Sequence, residues 1–136
     1  MNDEILEQLV VKREQLGPQQ KELVVKMVIP FAAIDPESGR VHLKAPFDEL
    51  NAKHKVLVYL LARLALSALP EPKVPKSTSP KEIEMETGLS GGTVRPMLTK
   101  LVGERLVVKD DNGYYVSPAA LTRASKDLEP FMPQGE

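Results

Sequence analysis

The stretch that most limits what this chain can fold into is Asn51 to Leu69. Wound as a helix, it places Val56, Leu57, Leu60, Leu61, Leu64 and Ala68 on one side, and Val58, Ala62, Ala65, Leu66 and Leu69 fill most of the rest. A helix that is apolar nearly all round has to be covered nearly all round. The apolar part, Val56 to Leu69, is too short to span a bilayer, which takes roughly 20 apolar residues, and it contains Arg63 and Ser67. It therefore predicts a buried central helix capped by Asn51. One face is expected against the C-terminal half of the chain. The other is expected against the N-terminal region or a second subunit.

The segments before it can supply such a cover. Residues 3–15 predict a helix, with Ile5, Leu6, Leu9 and Val10 on one face, Asn2 or Asp3 as cap, and Gly17-Pro18 as its end. Residues 22–34 read two ways. The β-branched run Leu23-Val24-Val25-Lys26-Met27-Val28-Ile29 favours a strand. The Glu22–Lys26 spacing suits a helix. A turn at Asp35-Pro36-Glu37-Ser38-Gly39 follows, then the alternating Val41-His42-Leu43-Lys44, so the segment predicts a hairpin. After the central helix, Pro70, Pro72, Pro75 and Pro80 mark an extended linker. Residues 129–136 predict a frayed tail.

Punctuation is densest from Ser79 to Pro118. Ser79, Pro80 and Glu82 form a capping-box sequence opening a helix to about Thr87, with Ile83 and either Met85 or Glu86 turned inward. Gly88 stops it in the left-handed region, Leu89 dips into the core, and Ser90 opens a second helix. There Val94, Met97, Leu98, Leu101 and Val102 make a core face, and Thr93, Arg95, Pro96, Thr99 and Lys100 lie opposite. Pro96 suggests a start near Thr93, where a proline costs little. Leu106 to Lys109 predicts a strand, Asp110-Asp111-Asn112-Gly113 a tight turn of Asn-Gly type, and Tyr114 to Ser117 the return strand. A helix with Leu121 and Leu128 follows Pro118.

Helix, glycine turn, helix and two-stranded hairpin resemble the winged helix-turn-helix DNA-binding family. The resemblance rests on Ser79-Pro80-Lys81-Glu82-Ile83, Gly88-Leu89-Ser90, Thr93 to Leu101 and Leu106-Val107, and covers about residues 51–128. It implies an α+β, mainly α fold, with residues 1–50 as a helix-plus-hairpin extension for dimerisation or partner binding. It further implies that the second helix enters the major groove while the wing touches the backbone beside it. The DNA-contacting residues carried over are Ser90, Gly91, Gly92, Thr93, Arg95, Thr99, Lys100 and Lys109. Arg95 suits bidentate contact with guanine or phosphate, and Lys100 suits phosphate. Free amides near Ser90 to Gly92 suit phosphate as well. The expected protein is a cytoplasmic transcriptional regulator acting as a homodimer, with duplex DNA as partner and no cofactor.

Charge leaves a second reading open. The chain carries net −1 overall, but residues 51–78 hold five bases against one acid. Lys53, Lys55, Lys73 and Lys76 could extend a DNA footprint or merely aid solubility. The tip residues Asp110 and Asp111 repel phosphate. They favour a winged-helix protein-interaction module acting through its wing or N-terminal hairpin. A subunit of an enzyme whose active site lies on another chain is a third reading.

Other chemistries find little support. With no cysteine the chain offers no disulfide, thiolate metal site or thiol nucleophile. His42 and His54 lack companions for a metal site. Gly88 to Gly92 lacks the Gly-Lys-Ser/Thr ending of a phosphate loop. No nucleophile has a partner base, so no enzymatic activity is expected. Aromatic residues are 4% of the chain, too few to suggest base stacking. The acidic start Met1-Asn2-Asp3-Glu4 is unlike a secretion signal, and no membrane association is expected.

Overall fold

The computed structural model describes residues 16–71 and 73–132. The helix expected over residues 3–15 and the tail end 133–136 lie outside them. Among the described residues the fold is α+β and mainly helical. The helices are α1 (Pro18–Val28), α2 (Ala52–Ser67), α3 (Pro80–Thr87), α4 (Gly91–Gly103) and α5 (Leu121–Leu128). Two antiparallel hairpins accompany them, β1 (Ala32–Asp35) with β2 (Arg40–Leu43), and β3 (Val108–Asp110) with β4 (Gly113–Tyr115).

Helix α2 is the axle. Asn51 caps it, its side-chain oxygen accepting from the His54 amide at 2.9 Å. Val56, Leu57, Val58, Leu60, Leu61, Ala62 and Leu66 are wholly buried. One side packs on α4, α3 and β4, the other on α1, β1 and β2. The hydrophobic core is thus continuous across residue 50, running from Val24 and Phe31 to Leu98 and Leu128. The N-terminal region covers much of the second apolar face, while at the C-terminal end of α2 the half-buried Ala65 borders an apolar cleft of about 290 Å³ together with Val24, Val25, Ala68 and Leu69.

The strand reading of Leu23 to Ile29 is overturned. Gly17 caps α1 with Pro18 at its first position, and the Gly17 amide donates to Gln20 Oε1 at 2.8 Å. Gly17-Pro18 therefore starts a helix. Val24, Met27 and Val28, at i, i+3 and i+4, face α2. Burial of that face outweighs the modest β preference of the valines. The hairpin begins only at Ala32, with Ala32 opposite Leu43 and Asp35 opposite Arg40. Its turn is held by Asp35, which accepts from the Glu37 amide at 2.9 Å and the Ser38 hydroxyl at 3.0 Å.

Arg63 explains how the proline-rich linker is fixed. It is 6% exposed, and its guanidinium donates to Glu82 at 2.6 Å, to the Pro75 carbonyl at 2.9 Å and to the Tyr59 hydroxyl at 3.3 Å. One charged side chain therefore joins α2, the linker and α3. Burial lowers its pKa, and the bonds to Glu82 and Tyr59 outweigh that, leaving it raised. Burial pushes the Tyr59 hydroxyl up to about 12.

The linker ends in the second hairpin. Thr78, fully buried, bridges antiparallel to Tyr114 through two backbone bonds of 2.9 Å. The C-terminal helix α5 then docks Leu121, Ala124 and Leu128 into the core. His54 Nε2 lies 2.8 Å from Asp127, and Lys53 bonds Glu104 at 2.7 Å with Asp127 at 3.4 Å. Residues 129–131 do not fray. They form a 3-10 turn that sets the Phe131 ring 4.3 Å from His54.

Candidate nucleic-acid interface

Helices α3 and α4 are arranged by local signals. The Ser79 hydroxyl accepts from the Glu82 amide at 3.2 Å, half of the expected capping box. The other half is absent because the Glu82 carboxylate turns to Arg63. Gly88 ends α3 at φ 80°, where glycine pays no Cβ penalty. Ile83 is buried as expected. Met85 is 74% exposed and Glu86 only half-buried, with its carboxylate 2.8 Å from Arg40 of the first hairpin.

Helix α4 begins at Gly91 with Ser90 as N-cap. Val94, Leu98 and Leu101 are buried and Met97 is partly buried, but Val102 is 38% exposed, so the core face ends at Leu101. Pro96 lies within the helix, which does not start at Thr93. A proline there has no N–H for the Gly92 carbonyl. The helix closes with Arg105 in the left-handed region at φ 64°, its amide bonded to Val102 and the Leu106 amide bonded to Leu101. Gly103, two residues earlier, remains helical.

The outer side of α4 holds the expected site residues. Ser90, Gly92, Arg95, Pro96, Thr99 and Lys100 are exposed, and Gly91 and Thr93 are half-buried. Neither Arg95 nor Lys100 takes part in an ion pair among the described residues. The hydroxyls look inward: Ser90 donates to Thr93 Oγ1 at 3.1 Å, and Thr99 donates to the Arg95 carbonyl at 3.1 Å. Arg95 also lines a cleft of about 330 Å³ against the second hairpin, shared with Lys109, Asp110, Asp111 and Asn112. Lys109 is exposed, its ammonium 5.9 Å from the Tyr114 ring centre.

Two acids shape this face. The Glu84 carboxylate stands over the first turn of α4, so close that a Cβ on Gly91 would be 2.9 Å from its Oε2. It occupies ground that a phosphate would take at the Ser90 to Gly92 amides. Sequence reading missed it, although a residue four before Gly88 on a helix-turn-helix is a reasonable neighbour for the second helix. Asp110 has an internal role. It accepts from the Ser77 hydroxyl at 2.6 Å and from the Asn112 and Gly113 amides at 2.9 Å each. The Ser77 bond foremost, with the two amides and Lys76, holds its carboxyl below the usual range against the opposing effect of burial. The pairing of Asp110 with Gly113 makes Asp111-Asn112 the central pair of the turn, not Asn112-Gly113.

The lysines of the central segment do not join this face as a group. Lys53 is held by Glu104 and Asp127. Burial lowers its pKa, and these acids outweigh it and leave it raised. Lys76 lies over the Tyr115 ring at 4.5 Å, and Lys55 is half-buried. Lys73 is exposed in the linker. Among the described residues no group of acids and histidines could hold a metal ion, and no helix is long and apolar enough to cross a membrane. No protein-family model, curated protein or solved structure matches the chain.

Proposed function

We propose that the chain is a winged helix-turn-helix protein that binds duplex DNA through the outer side of α4, and that it acts as a transcriptional regulator. The observation that carries this is the open face of α4, with Arg95 and Lys100 exposed and outside any ion pair among the described residues. An unpaired cation on a helix flanked by a hairpin can meet a phosphate or a guanine edge without first breaking a bond. A symmetric target site requires a homodimer.

The test is binding of a labelled random-sequence duplex by fluorescence anisotropy. Affinity should fall steeply between about 50 and about 200 mM salt, as released counterions require. Arg95→Ala and Lys100→Ala should each weaken binding and lower the salt slope by about one where a phosphate contact is lost. Binding that is absent, or indifferent to salt, defeats the proposal.

Glu84, Asp110 and Asp111 support a second reading, a winged-helix module that binds protein. Carboxylates over the start of α4 and at the hairpin tip suit a basic polypeptide better than a polyanion. That reading requires a partner whose capture survives Arg95→Ala and fails when Asp111 is replaced by Lys.

A further inference from the structure

The side chains between the two cations of α4 offer little to hydrogen-bond with. At about 100° per residue, Arg95, Thr99, Pro96 and Lys100 follow one another around the helix at roughly 0°, 40°, 100° and 140°, so Thr99 and Pro96 lie between the two cations. All four are exposed. Pro96 has neither an N–H nor a polar side-chain atom. The Thr99 hydroxyl donates back to the Arg95 carbonyl at 3.1 Å, so its hydrogen is already engaged. The Thr93 hydroxyl, which accepts from Ser90 at 3.1 Å, lies beside Lys100 at roughly 160° and so outside the sector between the cations. Between the cations, therefore, the helix presents a pyrrolidine ring and a threonine side chain whose methyl is its apolar group and whose hydroxyl has no free hydrogen to donate.

The major-groove edges of the four ordinary bases carry one apolar group, the C5-methyl of thymine. We infer that Pro96 and Thr99 are specificity-determining residues that select thymine by its methyl group, while Arg95 and Lys100 engage guanine or phosphate on either side. This rests on the reading of α4 as the DNA-contacting helix. A central Asn, Gln or Arg would read donors and acceptors. An apolar centre gains only from a base that brings an apolar group, and otherwise covers polar edges without replacing their water.

The experiment separates this inference from the reading it rests on. Duplexes are selected from a random-sequence pool with the full chain, and the selected sequence is resynthesised with uracil in place of thymine, one position at a time. Removing one contacted methyl should weaken binding about fourfold, the worth of one buried methyl-sized group. At such a position a 5-methylcytosine·guanine pair should bind better than an unmodified cytosine·guanine pair, because the methyl returns although the other edge atoms differ. Thr99→Val, which keeps a methyl and loses the hydroxyl, should preserve the thymine-over-uracil preference, and Thr99→Ser should reduce it. Selected duplexes that bind with salt dependence yet tolerate uracil everywhere overturn the methyl reading and leave DNA binding standing. So does a pool that binds without enriching any sequence. No duplex binding at all overturns both.

Discussion

Gly113 is where one methyl group should cost the most. It sits at φ 144°, and a Cβ built on it would lie 2.3 Å from the Thr78 carbonyl oxygen, 2.5 Å from its carbon and 2.9 Å from the Ser79 nitrogen. All three are backbone atoms, so none can swing aside as a side-chain tip can. Gly113→Ala must therefore push Thr78 away from β4 or change the turn. Separation breaks the two Thr78–Tyr114 backbone bonds, each 2.9 Å, and Thr78 is fully buried. Two such bonds are worth about 1 kcal/mol each. The strained backbone at positive φ adds about 1–2 kcal/mol. The expected loss is about 3–4 kcal/mol, and for a domain of this size that lowers Tm by roughly 10–14 °C. Circular dichroism melting measures the shift, and hydrogen exchange at the Thr78 and Tyr114 amides locates it. A variant melting within about 2 °C of the parent, with both amides still protected, would refute the argument, since it would mean the close approach is not needed.

Glu82→Gln should destabilise by about 1–3 kcal/mol in urea unfolding, because it withdraws the carboxylate from a buried guanidinium; the half-exposed position of Glu82 keeps this below the cost of breaking a fully buried pair. Glu86→Gln, whose partner Arg40 is 66% exposed on its side chain, should cost about 0–1 kcal/mol, and equal losses for the two would contradict this account. Asp110 has a lowered pKa in the folded chain. Its contribution is therefore fully present above the ordinary carboxylate value near 4 and is lost as pH falls through the lower folded value. Protection of the Asn112 and Gly113 amides, corrected for intrinsic exchange, should drop in that acid range. Asp110→Asn should show the drop at neutral pH, and unchanged protection in both cases would remove Asp110 from the turn's support.

The elements that could be read in advance are those whose signals are local. Asn51 and Ser79 cap helices by accepting from amides three residues on, Gly88 stops α3 through its positive φ, and Ser90 stands at the N-cap of α4 without a side-chain cap bond, all where local chemistry places them. The second hairpin was likewise legible, although its turn is centred one residue earlier than the Asn-Gly pair suggests. Where packing competes with propensity, local reading fails. Val24, Val25 and Val28 become helical because α2 needs a cover, and Arg105 rather than Gly103 takes the left-handed position because Leu106 must reach the core.

The outer residues of α4 were legible from helical periodicity alone, since a face opposite a core stripe is outward in any packing. Which charges remain free on that face was not. Lys53 and Glu82 look like ordinary surface charges in the sequence, yet the fold pairs them with Glu104 and Arg63. Glu84 reaches the start of α4 only because Gly88 to Ser90 fold the two helices together. The sequence by itself determined the helices with strong caps, the glycine turn and the outward direction of Arg95 and Lys100. The tertiary structure alone decided that the N-terminal region covers much of α2, that Thr78 joins the second hairpin, and which cations stay outside ion pairs among the described residues. Caps and periodicity act over a single turn of chain, whereas ion pairing and burial depend on residues tens of positions apart meeting in space.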